Sequence, residues 1–199
     1  MRRHTAPRAM VTLAIASSLL FAACGGGGGG SDSQSPTCSP ITFDRALVSP
    51  AAGDVYLDES NATCSTIDIV ILINNLSGIF TVSFDLNYPT AFLDYQSFSL
   101  GPLILKGNPT TTPVVIVVPT TGGISVTASR LAPDGPVTAS GSEAFLRLRF
   151  GRIASGSGPI DFDTSAGSHV SEVVLDNSTP ANIAPASFGP GHGGMVMAP

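Results

Sequence analysis

Ile79-Phe80-Thr81-Val82-Ser83-Phe84-Asp85-Leu86-Asn87-Tyr88 alternates apolar and polar residues. Side chains on a β-strand point to opposite faces with a period of two. Phe80, Val82, Phe84, Leu86 and Tyr88 therefore form a buried face, and Thr81, Ser83, Asp85 and Asn87 form a wet one. Pro89 follows and, lacking an N–H, ends the ladder. Upstream, Ile67, Ile69, Ile71 and Ile73 line one face, and Asp68, Val70, Leu72 and Asn74 line the other. Such a strand is covered on both sides for part of its length. Asn74-Asn75-Leu76-Ser77-Gly78 is a turn-rich link between the two.

The same period recurs outward in both directions. Val114 to Val118 is an unbroken apolar run between Pro113 and Pro119, with the length of a buried strand. Thr121-Gly122-Gly123 reads as a turn into Ile124-Ser125-Val126-Thr127-Ala128. Leu146, Leu148 and Phe150 face in while Arg147 and Arg149 face out, and Gly151 marks a bulge or the strand's end. Residues 43–48, 55–57, 92–100, 160–162 and 170–175 complete the set. Residues 193–197 are a last short strand or a frayed tail. No stretch after residue 38 keeps a helical period. The expectation is an all-β jelly-roll sandwich of about nine strands, with Phe80, Val82, Phe84, Leu86, Leu146, Leu148 and Phe150 in its core.

Three pieces of this order resemble the cohesin domain. They are the apolar strand ending in Asn75-Leu76-Ser77-Gly78, the alternating strand Phe80 to Tyr88, and Glu143 to Phe150 followed by a Gly-rich turn and Ile160-Asp161-Phe162. The resemblance spans residues 41–197. Pro89 directly follows Tyr88, without the family's intervening Asp, and the opening 41–58 region is looser than in the family. The resemblance implies a docking module that holds a dockerin-like protein on a sheet face. The related carbohydrate-binding modules share the same sandwich, so polysaccharide is the alternative ligand.

The first residues carry an address. Arg2, Arg3 and Arg8 precede an uncharged stretch from Ala9 to Ala23, too short to span a bilayer comfortably and of the length of a signal-peptide core. It ends Leu20-Phe21-Ala22-Ala23-Cys24, which resembles the lipobox of bacterial lipoproteins, although Phe21 stands where Leu is usual. That resemblance implies cleavage before Cys24 and acylation of it. A plain secretory peptide is the alternative. Residues 24–37 then form a tether of Gly25 to Gly30 and Ser-rich sequence with nothing to join a core. The folded domain is residues 38–199. The expectation is an exported protein anchored to a membrane by lipid, at the outer membrane or cell surface. With Cys24 acylated, Cys38 and Cys64 remain as a pair in an oxidising compartment and are expected to bridge, free thiols being the alternative.

Charge narrows the partners. The chain has 9 Lys plus Arg against 14 Asp plus Glu, and Lys106 is its one lysine. Nucleic acid is thereby excluded as a partner. The sequence has no nucleophile elbow, H-E-x-x-H, C-x-x-C, P-loop or S-x-x-K motif. Gly191-His192-Gly193-Gly194 reads as a turn rather than an oxyanion loop, and His169 as a loop histidine. Asp161 and Asp163, with Thr164 and Ser165, could offer oxygens to Ca²⁺ but read better as a solvated strand face. No dockerin-type calcium loop is present, so a dockerin-like partner would be a separate protein. The chain has no Trp and only Tyr56, Tyr88 and Tyr95, few rings on which a sugar could stack. The expectation is a binding module with no catalytic residues, metal or cofactor, with Arg147 and Arg149 as candidate contacts on its binding face.

Overall fold

A computed structural model describes residues 38–165, 172–175, 181–182, 188 and 191–199. The leader, Cys24, the tether and His169 lie outside the described residues. No α-helix occurs among those described. The strands are β1 (Thr42–Arg45), β2 (Val55–Ala62), β3 (Thr66–Asn74), β4 (Ile79–Asn87), β5 (Leu93–Leu100) and β6 (Val114–Thr120). After them come β7 (Gly123–Ser129), β8 (Ser142–Arg152), β9 (Gly156–Phe162), β10 (Glu172–Leu175), β11 (Ala181–Asn182) and β12 (Gly194–Ala198).

They form two antiparallel sheets, as the alternating pattern requires. One has the order β2-β3-β8-β5. The larger is centred on β4, which pairs with β7 on one side and with β9 and β10 on the other. From β7 the sheet runs on to β6, and from β9 to β12 and β1. The last stretch is thus a strand rather than a frayed tail.

The core sits between the sheets. Ile67, Ile69, Ile71 and Ile73 meet Leu146, Leu148 and Phe150 from one side and Val82, Phe84, Leu86, Ile124 and Val126 from the other, all fully buried. Phe162 meets Phe84 and Phe188 edge to face, with centroids 5.3 and 5.1 Å apart, and Phe84 and Phe188 lie 6.4 Å apart and tilted. Tyr88 closes one end, its ring 5.0 Å from that of Phe150. The unit Thr37–Pro199 is compact by itself and contains this core together with the Cys38–Cys64 disulfide, Cα to Cα 5.8 Å.

Three readings need correction. Phe80 is half-buried, and Ile79 takes the core position instead. A bulge at Phe80 near the start of β4, where Leu175 pairs with Ile79 and Val174 with Thr81, breaks the alternation there. Gly151 neither ends nor bulges its strand, since β8 runs on to Arg152. The bulge is on β5 at Gln96, whose side chain lies where a Cβ on Gly151 would stand. Finally, the Val114 to Val118 run is not buried. It is an edge strand with one side in water.

Candidate interaction faces

The larger sheet turns a regular grid outward from β6, β7 and β4. Pairing sets Val114, Ser129 and Thr81 in one row, Ile116, Thr127 and Ser83 in the next, and Val118, Ser125 and Asp85 in the third. Each strand supplies its outward set because its alternate residues, such as Val82, Phe84, Val126 and Ala128, are held in the core. The β4 and β7 columns are tied by side-chain hydrogen bonds, Thr81 to Ser129 at 2.7 Å and Ser83 to Thr127 at 2.8 Å. The β6 column is apolar and open: Val114, Ile116 and Val118 are 41, 54 and 51% exposed. From strand spacing and rise, the grid measures roughly 10 by 14 Å.

The loop leading into β6 is pinned at both ends. Buried Arg130 donates to the carbonyls of Ile104 (2.6 Å), Lys106 (3.0 Å) and Gly135 (2.8 Å). The Asp134 carboxylate accepts from the Thr110 N–H and hydroxyl, at 2.8 and 2.9 Å, and from the N–H and hydroxyl of Thr111. These hydrogen bonds, the Thr111 hydroxyl first, hold the Asp134 carboxyl far below the usual carboxylate range. Lys106 pairs with Glu143 at 2.9 Å. An open recess lined by Leu100, Leu105, Pro109 and Pro113 results, continuous in the chain with Val114.

Arg147 and Arg149 lie on the other sheet, facing out from β8 as their alternation requires. Arg149 grips Asp68 of β3 through two hydrogen bonds of 2.7 and 2.8 Å. That contact holds the Asp68 carboxyl below its ordinary value. Arg147 stands opposite Val70 on one side and Ser99 on the other. Asp68, Ser97, Phe98, Ser99 and the two arginines line a shallow recess, and Phe98 is 41% exposed. The two arginines are thus brought together, but one is already occupied by an internal carboxylate.

Other candidates take structural places. His192 is buried in its turn, and its Nδ1 donates to the Val55 carbonyl at 2.8 Å. Its own carbonyl accepts from Leu57 N–H at 2.8 Å, so it fastens the β12 side to β2. Asp163 lies past the end of β9 and accepts from the Ser165 N–H and hydroxyl, which lowers its pKa. Burial raises that of Asp161. Among the described residues no cluster of three or more His, Cys, Asp or Glu is placed to hold a metal.

Sequence reasoning missed the open side of β6 and the straps at Arg130 and Asp134. The flanking Pro113 and Pro119 were the available signal for an edge, because proline sits poorly in a strand paired on both sides.

No protein-family model matches the chain, and no curated protein matches it. Solved structures do. The chain is similar to a type II cohesin in a cohesin–X-dockerin complex from Acetivibrio cellulolyticus, with TM-score 0.50 and 14% identity over 68% of this chain and 92% of that one. A type II cohesin from Bacteroides cellulosolvens gives 0.46 and 14%, over 59 and 81%. The sixth cohesin of an Acetivibrio cellulolyticus scaffoldin, solved with a dockerin, gives 0.45 and 18%, over 65 and 95%. The fold is the cohesin-type β-sandwich.

Proposed function

We propose that this domain is a non-catalytic docking module that holds a separate, dockerin-like protein on the outward face of β4, β7 and β6. The observation that carries the reading is the open column Val114, Ile116 and Val118 beside two polar columns, hydroxyls except for Asp85. An apolar strip with a polar border is the composition of a specific interface. The grid alone is far below the roughly 800 Å² per partner of a standard interface, so the rim has to contribute. The loop pinned by Arg130 and Asp134 is the rim best prepared to do so, because its ordering is already complete before a partner arrives. The similar structures solved with dockerins favour a protein over other ligands.

We further propose that Cys24 is acylated and tethers the domain at the membrane or cell surface, which raises its effective concentration toward surface partners. The test uses Thr37–Pro199 as bait for surface and secreted proteins. A partner retained by the wild type and lost on Thr127→Arg, which fills the middle of the grid, supports docking. Retention of the same partner by Thr127→Arg overturns this face. Cys24→Ser in the full chain should move the protein from the membrane fraction to the soluble one.

The recess beside Phe98 favours a second reading, polysaccharide binding on the opposite sheet. It is lined by Ser97, Ser99, Arg147 and Arg149, with the half-exposed Phe98 between the two serines on the edge strand. Retention on insoluble polysaccharide that is lost on Phe98→Ala and Arg147→Glu, with no protein partner captured, would select it.

A further inference from the structure

Residues 111–121 read Thr-Thr-Pro-Val-Val-Ile-Val-Val-Pro-Thr-Thr, the same in both directions about Ile116. The centre of this palindrome is β6. Among the described strands β6 has one neighbour, β7, and none pairs with its other edge. An unpaired edge presents a row of backbone N–H and C=O groups ready to take a further strand.

We propose that β6 is a homodimerisation edge, pairing antiparallel with β6 of a second copy about a two-fold axis through Ile116. The palindrome identifies the occupant. In such a pair each residue on one side of the axis stands opposite the residue equally far on the other side. Here that places Val114 against Val118 of the second copy, Val115 against Val117, and Ile116 against Ile116. Every cross-strand pair is β-branched against β-branched, the kind that packs well on a pleated surface.

Charge points the same way. The chain carries a net charge of −5, so two copies repel in general. Yet residues 107–129 contain no Asp, Glu, Lys, Arg or His, and β6 lies within that stretch. Two like-charged molecules can meet there without setting charge against like charge. Protein edges are commonly guarded by lysine or an inward-pointing charge, and this one has neither. Its only guards are Pro113 and Pro119, which stand equally far from Ile116 on either side. Without an N–H, neither proline can donate across the edge, so the symmetric register is the one that pairs all five residues between them. A two-fold contact consumes the edge of both copies and closes as a dimer rather than growing into a fibre.

The contact is short, about 17 Å for five residues. It falls below the size of standard stable interfaces, so dissociation in the micromolar range is expected. The pairing joins the two larger sheets into one and places two grids side by side. It uses the rim of β6 and stands whether or not the grid docks a partner.

The test is sedimentation of Thr37–Pro199, which carries its own core and disulfide, without any partner, from micromolar to near-millimolar concentration. A monomer–dimer equilibrium is expected. Ile116→Lys, which sets two ammonium groups across the axis at an exposed position, should weaken it at least tenfold, and Thr127→Arg should leave it unchanged. Register is read by cysteine cross-linking. Ile116→Cys should link to itself on mild oxidation. Val114→Cys and Val118→Cys should each link poorly alone and readily when mixed. A monomer at the highest concentration, a dimer indifferent to Ile116→Lys, or self-linking of Val114→Cys as fast as that of Ile116→Cys would overturn the proposal. Retention of the docking partner by Thr127→Arg, or capture of no partner at all, with the dimer intact would remove only the docking reading.

Discussion

β8 and β6 are both strands of strongly apolar sequence, and they fare differently. β8 has a strand on each side, β3 and β5. Its inward residues Leu146, Leu148 and Phe150 are fully buried, and its outward Arg149 is neutralised by Asp68 on the neighbouring strand. A bulge even lets Phe145 join the core beside Leu146. β6 has a strand on one side, no charge of its own, and an apolar column in water. Its run of five apolar residues looks drier than β8 when read alone. The difference teaches that burial follows from lateral neighbours and the opposing layer, not from the hydrophobicity of the run. A strand apolar on both faces inside a sandwich wing has one face left over, and that face is where an interaction can be built.

Substitutions break or sharpen this contrast. The largest effect is expected in the layer that both sheets share. Phe84→Ala should lower unfolding free energy by about 3–5 kcal/mol in urea titration, as a large core truncation. Ile116→Ala should stay within about 0.5 kcal/mol, as at an ordinary surface position. Comparable losses at the two sites would mean that β6 is covered in the monomer.

Next comes the Cys38–Cys64 bridge, which ties the chain ahead of β1 to the β2–β3 turn. For a loop of this length the chain-entropy model gives about 3.5 kcal/mol as an upper figure for Cys64→Ala. Hydrogen exchange should speed up in β1 and β2 before it does in β6 and β7. Uniform acceleration would show that the two wings unfold as one unit.

The smallest effect concerns the outward charges of the four-stranded sheet. The Asp68 carboxyl is held below its ordinary value by Arg149, so the pair stabilises the fold fully above pH 3.8 and loses that contribution as pH falls through the depressed folded-state value. Arg149 is half exposed, which limits the pair to about 0.2–1 kcal/mol. Asp68→Asn should therefore cost that much at pH 7 and almost nothing in strong acid, by urea titration at both pH values. An unchanged difference at low pH would locate its origin in packing rather than charge. No charged pair of this kind exists on β6, so acid should leave the stability of Ile116→Ala relative to wild type unaltered.

Much of the architecture was legible because a sandwich core imposes a period of two on strand after strand. Val82, Phe84, Leu86, Leu146, Leu148 and Phe150 stand where the alternation put them. The disulfide followed from the parity of two cysteines. The alternation misled at Phe80, where a bulge in β4 itself, opposite Val174 and Leu175, moved Ile79 inward. Bulges of that kind depend on which strands become neighbours, a matter on which local sequence is silent. The outward grid was legible only in part. The hydroxyls of Thr81 and Ser83 were placed on a wet face, but nothing in their own segment says that they form hydrogen-bonded pairs with Ser129 and Thr127 beside an open apolar column.

The sequence by itself determined most of the strands and, outside Phe80 and β6, their inward and outward faces, because these depend on side-chain period within a few residues. Tertiary structure alone decided which strand lies at an edge and which outward residues share a surface. It also turned Arg130 and Asp134 into straps for a distant loop. Those outcomes depend on pairings between segments far apart in the chain. β4 with β7 and β3 with β8 are such pairings, and the order in which strands lie side by side is a property of the assembled sandwich.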